Sequence, residues 1–424
     1  MAMAFMNMCM TRGISSSFSV FFVAILKEYN WTRAEISGVY SAYVLLNFCS
    51  AFFIGMLIDR LGSRAVFPLG ALLAGVGLAA TSRSTELWHL YLWFGMVTSI
   101  GVCAFAWLPN SSAMKSWFSR KLGLAMGITN AGMGLGMLVF IPLSQALIQR
   151  FGWRNAILIL ACIVLGIIGP LNWLLQRNRP SDMNLLPDGD PPEQEAVSKA
   201  RLMTYPKLET REPPEEFRVE WSIQTAVRTR AFWMLAIAFF CMPMVNFSLI
   251  LHQMAYVVDK GFDPLYTAWA LGFMGVVNSA GMILFGSISD RAGREITLTI
   301  AGVSMALSIA ALGYLDLTRE WALWAYVLLS GLGQGAGATL FPLMVADLFR
   351  GYGFGTIMGL LSINVGLGSA LGAWILGIIY DRTGSYQPGF ILLVLLMAVA
   401  IMAVWAAAPR HGPLKPGVRK SGRI

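Results

Sequence analysis

Long apolar runs alternate along this chain with short clusters of charge, glycine and proline. A bilayer's hydrocarbon core, about 30 Å thick, is crossed by about 20 helical residues, and runs of that length recur. With the polar clusters as boundaries, six spans are predicted in the first part of the chain, at roughly 3–26, 36–58, 66–82, 87–110, 122–148 and 154–176. Six more follow at 231–256, 266–289, 296–315, 321–346, 353–379 and 386–408. The stretch from Arg177 to about Arg230 is polar, with Pro-Asp-Gly-Asp-Pro-Pro at 187–192 and acidic Glu212, Glu215 and Glu216. That composition predicts a solvated linker. The expected organisation is a six-helix unit (1–176), a cytoplasmic linker (177–230), a second six-helix unit (231–408) and a cytoplasmic tail (409–424).

The two units repeat. Gly55-Met-Leu-Ile-Asp59-Arg60-Leu-Gly62 follows the second span, and Gly286-Ser-Ile-Ser-Asp290-Arg291-Ala-Gly293 follows the eighth, at an offset of 231 residues. Near the same offset, Gly152-Trp153-Arg154 stands opposite Gly384-Ser385-Tyr386. The fold class expected is therefore an all-α membrane protein, with twelve transmembrane helices in two pseudo-symmetric bundles. Repeats of this kind rock about a site near the bilayer midplane, which is transporter architecture.

Composition agrees with the pattern. Apolar residues make up 57% of the chain and charged ones 12%, where a soluble domain carries about 25% charged. This excludes a soluble enzyme, a disordered chain, a nucleic-acid-binding protein and a disulfide scaffold. The net charge of +9 sets topology. With both termini cytoplasmic, the inner loops and tail hold 22 of the 31 lysines and arginines and the outer loops eight, leaving Arg12 inside the first span. The protein is expected in the inner or plasma membrane. All five cysteines lie in apolar stretches and the three histidines are scattered, so no metal site is readable and neither a cofactor nor a catalytic residue is expected. The apolar start lacks a small-residue cleavage site and reads as a span, not a signal peptide.

In the repeated loop, Gly55 and Gly286 would let helices pack closely. Asp59 and Asp290 stand where a carboxylate can face a neighbouring helix N-terminus. Arg60 and Arg291 can bond the same carboxylate or a lipid phosphate. Contacts made in one arrangement of the bundles and broken in the other would act as a gate. A plain turn with topology-setting charges is the alternative. The G-x-x-x-D-R-x-G pattern resembles the signature loop of the major facilitator superfamily, and the resemblance covers essentially the whole chain. Ser17-Phe18-Ser19-Val20-Phe21-Phe22, Glu28-Tyr-Asn-Trp31-Thr32-Arg33, Trp117-Phe118-Ser-Arg120-Lys121-Leu-Gly123-Leu-Ala125, Gly152-Trp153-Arg154, Arg179-Pro180-Ser-Asp182 with Leu186-Pro187-Asp188-Gly189, and Gly331 to Gly337 are similar to the monocarboxylate transporter and oxalate/formate antiporter branch. The branch implies carboxylate transport. This chain departs from its charged residues: Asn278 stands at the aspartate position of the eighth helix, Met282 at the arginine position, and Ser16 at the basic position of the first helix. The lysine of the oxalate carriers has no counterpart around Asn364.

Arg12 is the most informative candidate. An arginine inside a span costs at least about 2.5–3.5 kcal/mol on insertion scales and faces a cavity or a partner. It would receive an anion through its planar fork, or else snorkel to the near interface. The resemblance places the first, fourth, seventh and tenth helices around the cavity. Ser16, Asn110, Asn246 and Gln334 are candidates there, with Tyr43 and Asn47 of the second helix and Asn278 of the eighth. Each could equally serve as an interhelical hydrogen bond. His252, with Asp259 and Lys260 beyond it, reads as an interfacial or gating residue, or as a proton carrier. Glycine runs at 132–136, 331–337 and 366–372 read as close helix packing. The function expected is secondary transport of a small organic anion, a carboxylate, by a monomer in the lipid bilayer. The alternatives are a carrier of neutral or cationic solutes and a non-transporting solute sensor.

Overall fold

Lipid cannot hydrogen-bond a backbone, so each crossing segment must satisfy its own N–H and C=O groups as a helix. The computed structural model describes residues 1–118, 121–178, 180–183, 188, 221–349 and 354–407. Arg120, residues 189–220 of the linker and the tail from 408 lie outside the described residues. The spans are α1 (Ala2–Glu28), α2 (Arg33–Leu61), α3 (Ser63–Thr81), α4 (Leu87–Trp117), α7 (Arg230–Asp259), α8 (Pro264–Ala292), α9 (Arg294–Gly313), α10 (Trp321–Leu348), α11 (Phe354–Thr383) and α12 (Gln387–Ala407). Helices α5 (122–151) and α6 (153–175) form one continuous stretch, Leu122–Leu175, that Gly152 breaks with φ 79° and ψ 161°. No strand occurs among the described residues.

Local chemistry sets the boundaries that differ from expectation. Helix α2 starts at Arg33, not at 36, because Thr32 caps it: the Thr32 hydroxyl accepts from the Glu35 N–H and the Glu35 carboxylate accepts from the Thr32 N–H. Helix α4 runs on to Trp117, beyond the expected end at 110, and breaks midway. Pro109 has no N–H for the Phe105 carbonyl four residues back, and the chain turns out of helix at Phe105 and Ala106. The Asn110 amide then donates to the freed Phe105 carbonyl at 2.7 Å and to the Ala106 carbonyl at 2.9 Å. The second glycine of each repeated loop, Gly62 and Gly293, adopts φ of 79° and 92° with ψ near 160°, a region open essentially to glycine alone.

Packing follows the repeat. Helix α1 lies on α5 as α7 lies on α11, and α2 crosses to α11 as α8 crosses to α5. The expected glycine runs stand at these crossings and where α10 packs on α8 and α9. A methyl group at Gly275 would lie 2.5 Å from the Gly134 carbonyl oxygen, and one at Gly335 2.6 Å from that of Asn278. Gly132 and Gly136 face carbonyls of α1, while Gly368 and Gly372 face carbonyls of α7. Backbone-to-backbone approach of this kind holds helices together where lipid supplies no hydrophobic drive.

Candidate substrate site and gates

Arg12, Ser16, Tyr43, Asn246, Asn278 and Gln334 all lie 10–16 residues from the same end of the bundle, the end where α1 turns into α2. At 1.5 Å per residue that is a layer about 15–24 Å deep. Arg12 is half-buried and within electrostatic range of the Tyr40 and Tyr43 phenols. No ion pair or hydrogen bond engages its guanidinium among the described residues. The ring of Tyr40 stacks on Phe18 and Tyr43, and Phe94 stacks on Phe18 and Tyr43. The Tyr40 hydroxyl lies 3.3 Å from Ser15 Oγ. This aromatic wall holds both phenols on the Arg12 side.

The other candidates divide. Among the described residues the buried Ser16 hydroxyl has no partner, and neither has the buried Asn246 Oδ1. Asn278 is buried and its side chain makes no hydrogen bond among the described residues. Three more are engaged inside their own half. Asn47 donates to the Ser99 carbonyl at 3.1 Å. Asn110, besides closing the α4 break, accepts from Asn7, which also pairs with Asn172. Gln334 donates to Ser330 Oγ at 2.9 Å.

At the α1–α2 end the halves are sealed against each other. The Arg33 guanidinium donates to Asp259 and to the Tyr386 hydroxyl, each at 2.6 Å, and lies 3.7 Å over the Tyr380 ring. Asp381 accepts from the backbone N–H groups of Arg33 and Ala34, at 3.0 and 2.7 Å. The end of α11 thus caps the N-terminus of α2 across the interface. Below this, His252 bridges Ser37, Ala373 and Tyr386, and Ser41 donates to the Ala370 carbonyl at 2.5 Å. Among the described residues, no hydrogen bond joins the halves deeper than this one. The sequence reading places His252 at a gate, but not Arg33, Asp381 or Tyr386. Arg33 stands in the Trp31-Thr32-Arg33 string, but nothing along the chain pairs it with residues more than 200 positions away.

The opposite end, which carries the repeated loops, is open. A methyl group added at Gly55 would meet nothing within 4 Å, and one at Gly286 only Thr339 at 3.6 Å. The close packing expected at these glycines is therefore absent here, because the helices that would press on them stand apart. Asp59 and Arg60 are exposed and form no ion pair among the described residues. In the second copy Asp290 is held not by Arg291 but by Arg294, one turn further on, at 2.9 Å. Arg294 also bonds Asp347 at 3.2 Å and Ser289 at 2.7 Å. The break at Gly293 explains the exchange: Arg294 opens α9, and the sharp turn brings it back against the end of α8 that carries Asp290.

The sequence profile of the Major Facilitator Superfamily matches residues 2–349. The chain is 27% identical over 398 residues to human (Homo sapiens) monocarboxylate transporter 12, covering 90% of this chain and 74% of that one. It is 26% identical to rat (Rattus norvegicus) monocarboxylate transporter 13, covering 92% of this chain and 83% of that one. Among solved structures, a bacterial homologue of the human lysosomal transporter Spinster, in an inward-facing and unoccupied conformation, superposes with a TM-score of 0.65 at 16% identity. That match covers 96% of this chain and 94% of the other, and at such identity it shows the fold.

Proposed function

The chain belongs to the major facilitator superfamily and is related to monocarboxylate transporters, and from that premise we propose that it carries a small organic anion, a carboxylate, by alternating access. As a member of that family it is a multi-pass membrane transporter and not an enzyme. The observation that carries the anion reading is Arg12, a cation in the deep layer with no acidic partner among the described residues and two phenols within electrostatic range. A carboxylate would take the guanidinium fork, which supplies two parallel donors. The unpartnered Ser16 hydroxyl, Asn246 Oδ1 and Asn278 would contact the rest of the molecule; Tyr43 would line its side. Asn47, Asn110 and Gln334 would shape the layer through the helices they tie. The protein would act as a monomer in the cell membrane with both termini cytoplasmic, its units 1–176 and 231–408 rocking about the layer, joined by the linker 177–230. The sealed end then faces outward. Solute counterflow in proteoliposomes tests the reading: small carboxylates are expected to exchange and their amides to fail. Exchange of neutral or cationic solutes with no carboxylate exchanged would replace it.

The repeated loop would lock the end that is open here. Asp59 is exposed and has no ion-pair partner among the described residues in this arrangement, so its contacts would form only when that end closes. Asp59→Asn is expected to leave folding and the sealed end unchanged while lowering transport about tenfold or more, the range for one charge-assisted bond of about 1.5–3 kcal/mol. Full transport in that variant would leave the loop a topological signal alone.

A further inference from the structure

The hydrogen bonds of the sealed end run in one direction, and each donor is determined by its chemistry. The Ala373 carbonyl only accepts, so His252 Nε2, 2.9 Å away, carries the hydrogen. Ser37 Oγ gives its own hydrogen to the Arg33 carbonyl at 2.5 Å, so it too can only receive from Nε2, at 3.2 Å. On the other side, the Arg33 guanidinium has donors only, and one of them points at the Tyr386 oxygen at 2.6 Å. The Tyr386 hydrogen is therefore left for His252 Nδ1, 3.0 Å away, which accepts it as an unprotonated ring nitrogen. The relay reads Asp259 ← Arg33 → Tyr386 → His252 → Ala373. It links α7, α2, the α11–α12 turn and α11, and so crosses between the halves.

We propose that His252 is a proton-binding site that opens the sealed end: the closed relay accepts only the neutral ring, and protonation breaks it. An imidazolium donates from both nitrogens. Nδ1–H would then point at the same phenol oxygen that already receives Arg33, setting two cations on one atom. The Tyr386 hydrogen would lose its acceptor, and the rings packed against Tyr386 are those of Tyr380, Tyr256 and Phe390. The charged and titratable groups around the imidazole are Arg33 from α2, Tyr380 and Asp381 from α11, Tyr386 from the turn, Tyr256 and Asp259 from its own helix, and Lys260 just beyond that helix. From helix α1 the Phe22 ring meets the imidazole at 79°. Among the described residues no carboxylate bonds the ring, since Asp259 and Asp381 are held by Arg33 and by the α2 backbone. A proton on His252 is thus uncompensated until the halves part and admit water. The site stands apart from Arg12, and its test needs no substrate.

Spin labels at Asn30→Cys and Thr318→Cys, one on each half at the sealed end, report its opening in purified protein whose native cysteines are replaced by alanine. From pH 7.5 to 5.5 the ratio of open to closed distances is expected to rise about tenfold. That is the limit for one proton taken up by the open form only, at histidine's ordinary value of about 6.5. In His252→Gln the amide can still donate to Ala373 and accept from Tyr386. The ratio is therefore expected to change less than about twofold. In parallel, 15N-histidine spectra of the unlabelled wild type, assigned by that variant, should show Nε2 protonated and Nδ1 bare at pH 7.5. A ratio constant with pH, a tenfold change that survives His252→Gln, or the opposite tautomer would each overturn the proposal.

Discussion

Arg12→Ala is expected to weaken binding of the transported anion roughly 30-fold or more. Truncating one member of a desolvated, hydrogen-bonded charge pair costs about 2–5 kcal/mol, and the lower figure suits a half-buried guanidinium. At about 1.4 kcal/mol per decade it gives that factor. Arg12→Lys should recover part of the loss, because an ammonium keeps the charge and lacks the planar fork. A neutral analogue should bind variant and wild type alike. An arginine that merely snorkels to the interface predicts another pattern, in which lysine replaces it fully and alanine lowers expression without altering affinity. The measurement is equilibrium binding of the counterflow-selected anion to purified protein. Unchanged affinity in Arg12→Ala would remove the principal support for an anionic substrate.

Arg33→Ala is expected to shift the sealed end toward opening by about 30-fold. The residue contributes two charge-assisted hydrogen bonds and a cation over the Tyr380 ring. Charged hydrogen bonds are worth about 1.5–3 kcal/mol each when buried. The Asp259 side chain is 43% exposed, so solvent screening reduces its share, and about 2 kcal/mol in all is the reasonable sum. The readout is modification at Ala370→Cys by a membrane-impermeant maleimide added outside cells, quantified at that site by mass spectrometry. The Arg33→Ala background should react about 30-fold faster. Equal rates would mean that the aligned dipoles and close packing of α2 against α11 hold the seal unaided. Labelling from the cytoplasmic side alone would reverse the proposed orientation.

Much of the architecture is legible along the chain because hydrophobic length is a one-dimensional property. Twelve apolar runs of bilayer thickness, a 231-residue repeat and a polar centre require two helical bundles whatever their packing. The glycine runs are legible for a related reason, since a side chain reduced to hydrogen in an apolar helix marks a close approach. Arg12 stands out because a charge in lipid is costly anywhere. Helix α4 shows where this kind of reading stops. Pro109 announces a disturbance, but only the fold reveals that Asn110 fills it and that Asn7 and Asn172 meet there from α1 and α6.

The division runs between what a residue carries and what it meets. Composition and order alone determined that this protein spans a membrane with twelve helices in two related halves, and that one arginine lies within the first. Only the tertiary structure decided which end is sealed, because a seal is a set of contacts between distant segments. Arg33, Asp259, Asp381 and Tyr386 are ordinary loop-flanking residues until α2, α7 and α11 converge. Asn246 and Asn110 are the same amide in equally apolar surroundings. One keeps an oxygen without a partner among the described residues in the deep layer, while the other is consumed by backbone carbonyls at the break in its own helix. A hydrogen bond depends on distance and angle, and neither is encoded until the helices pack.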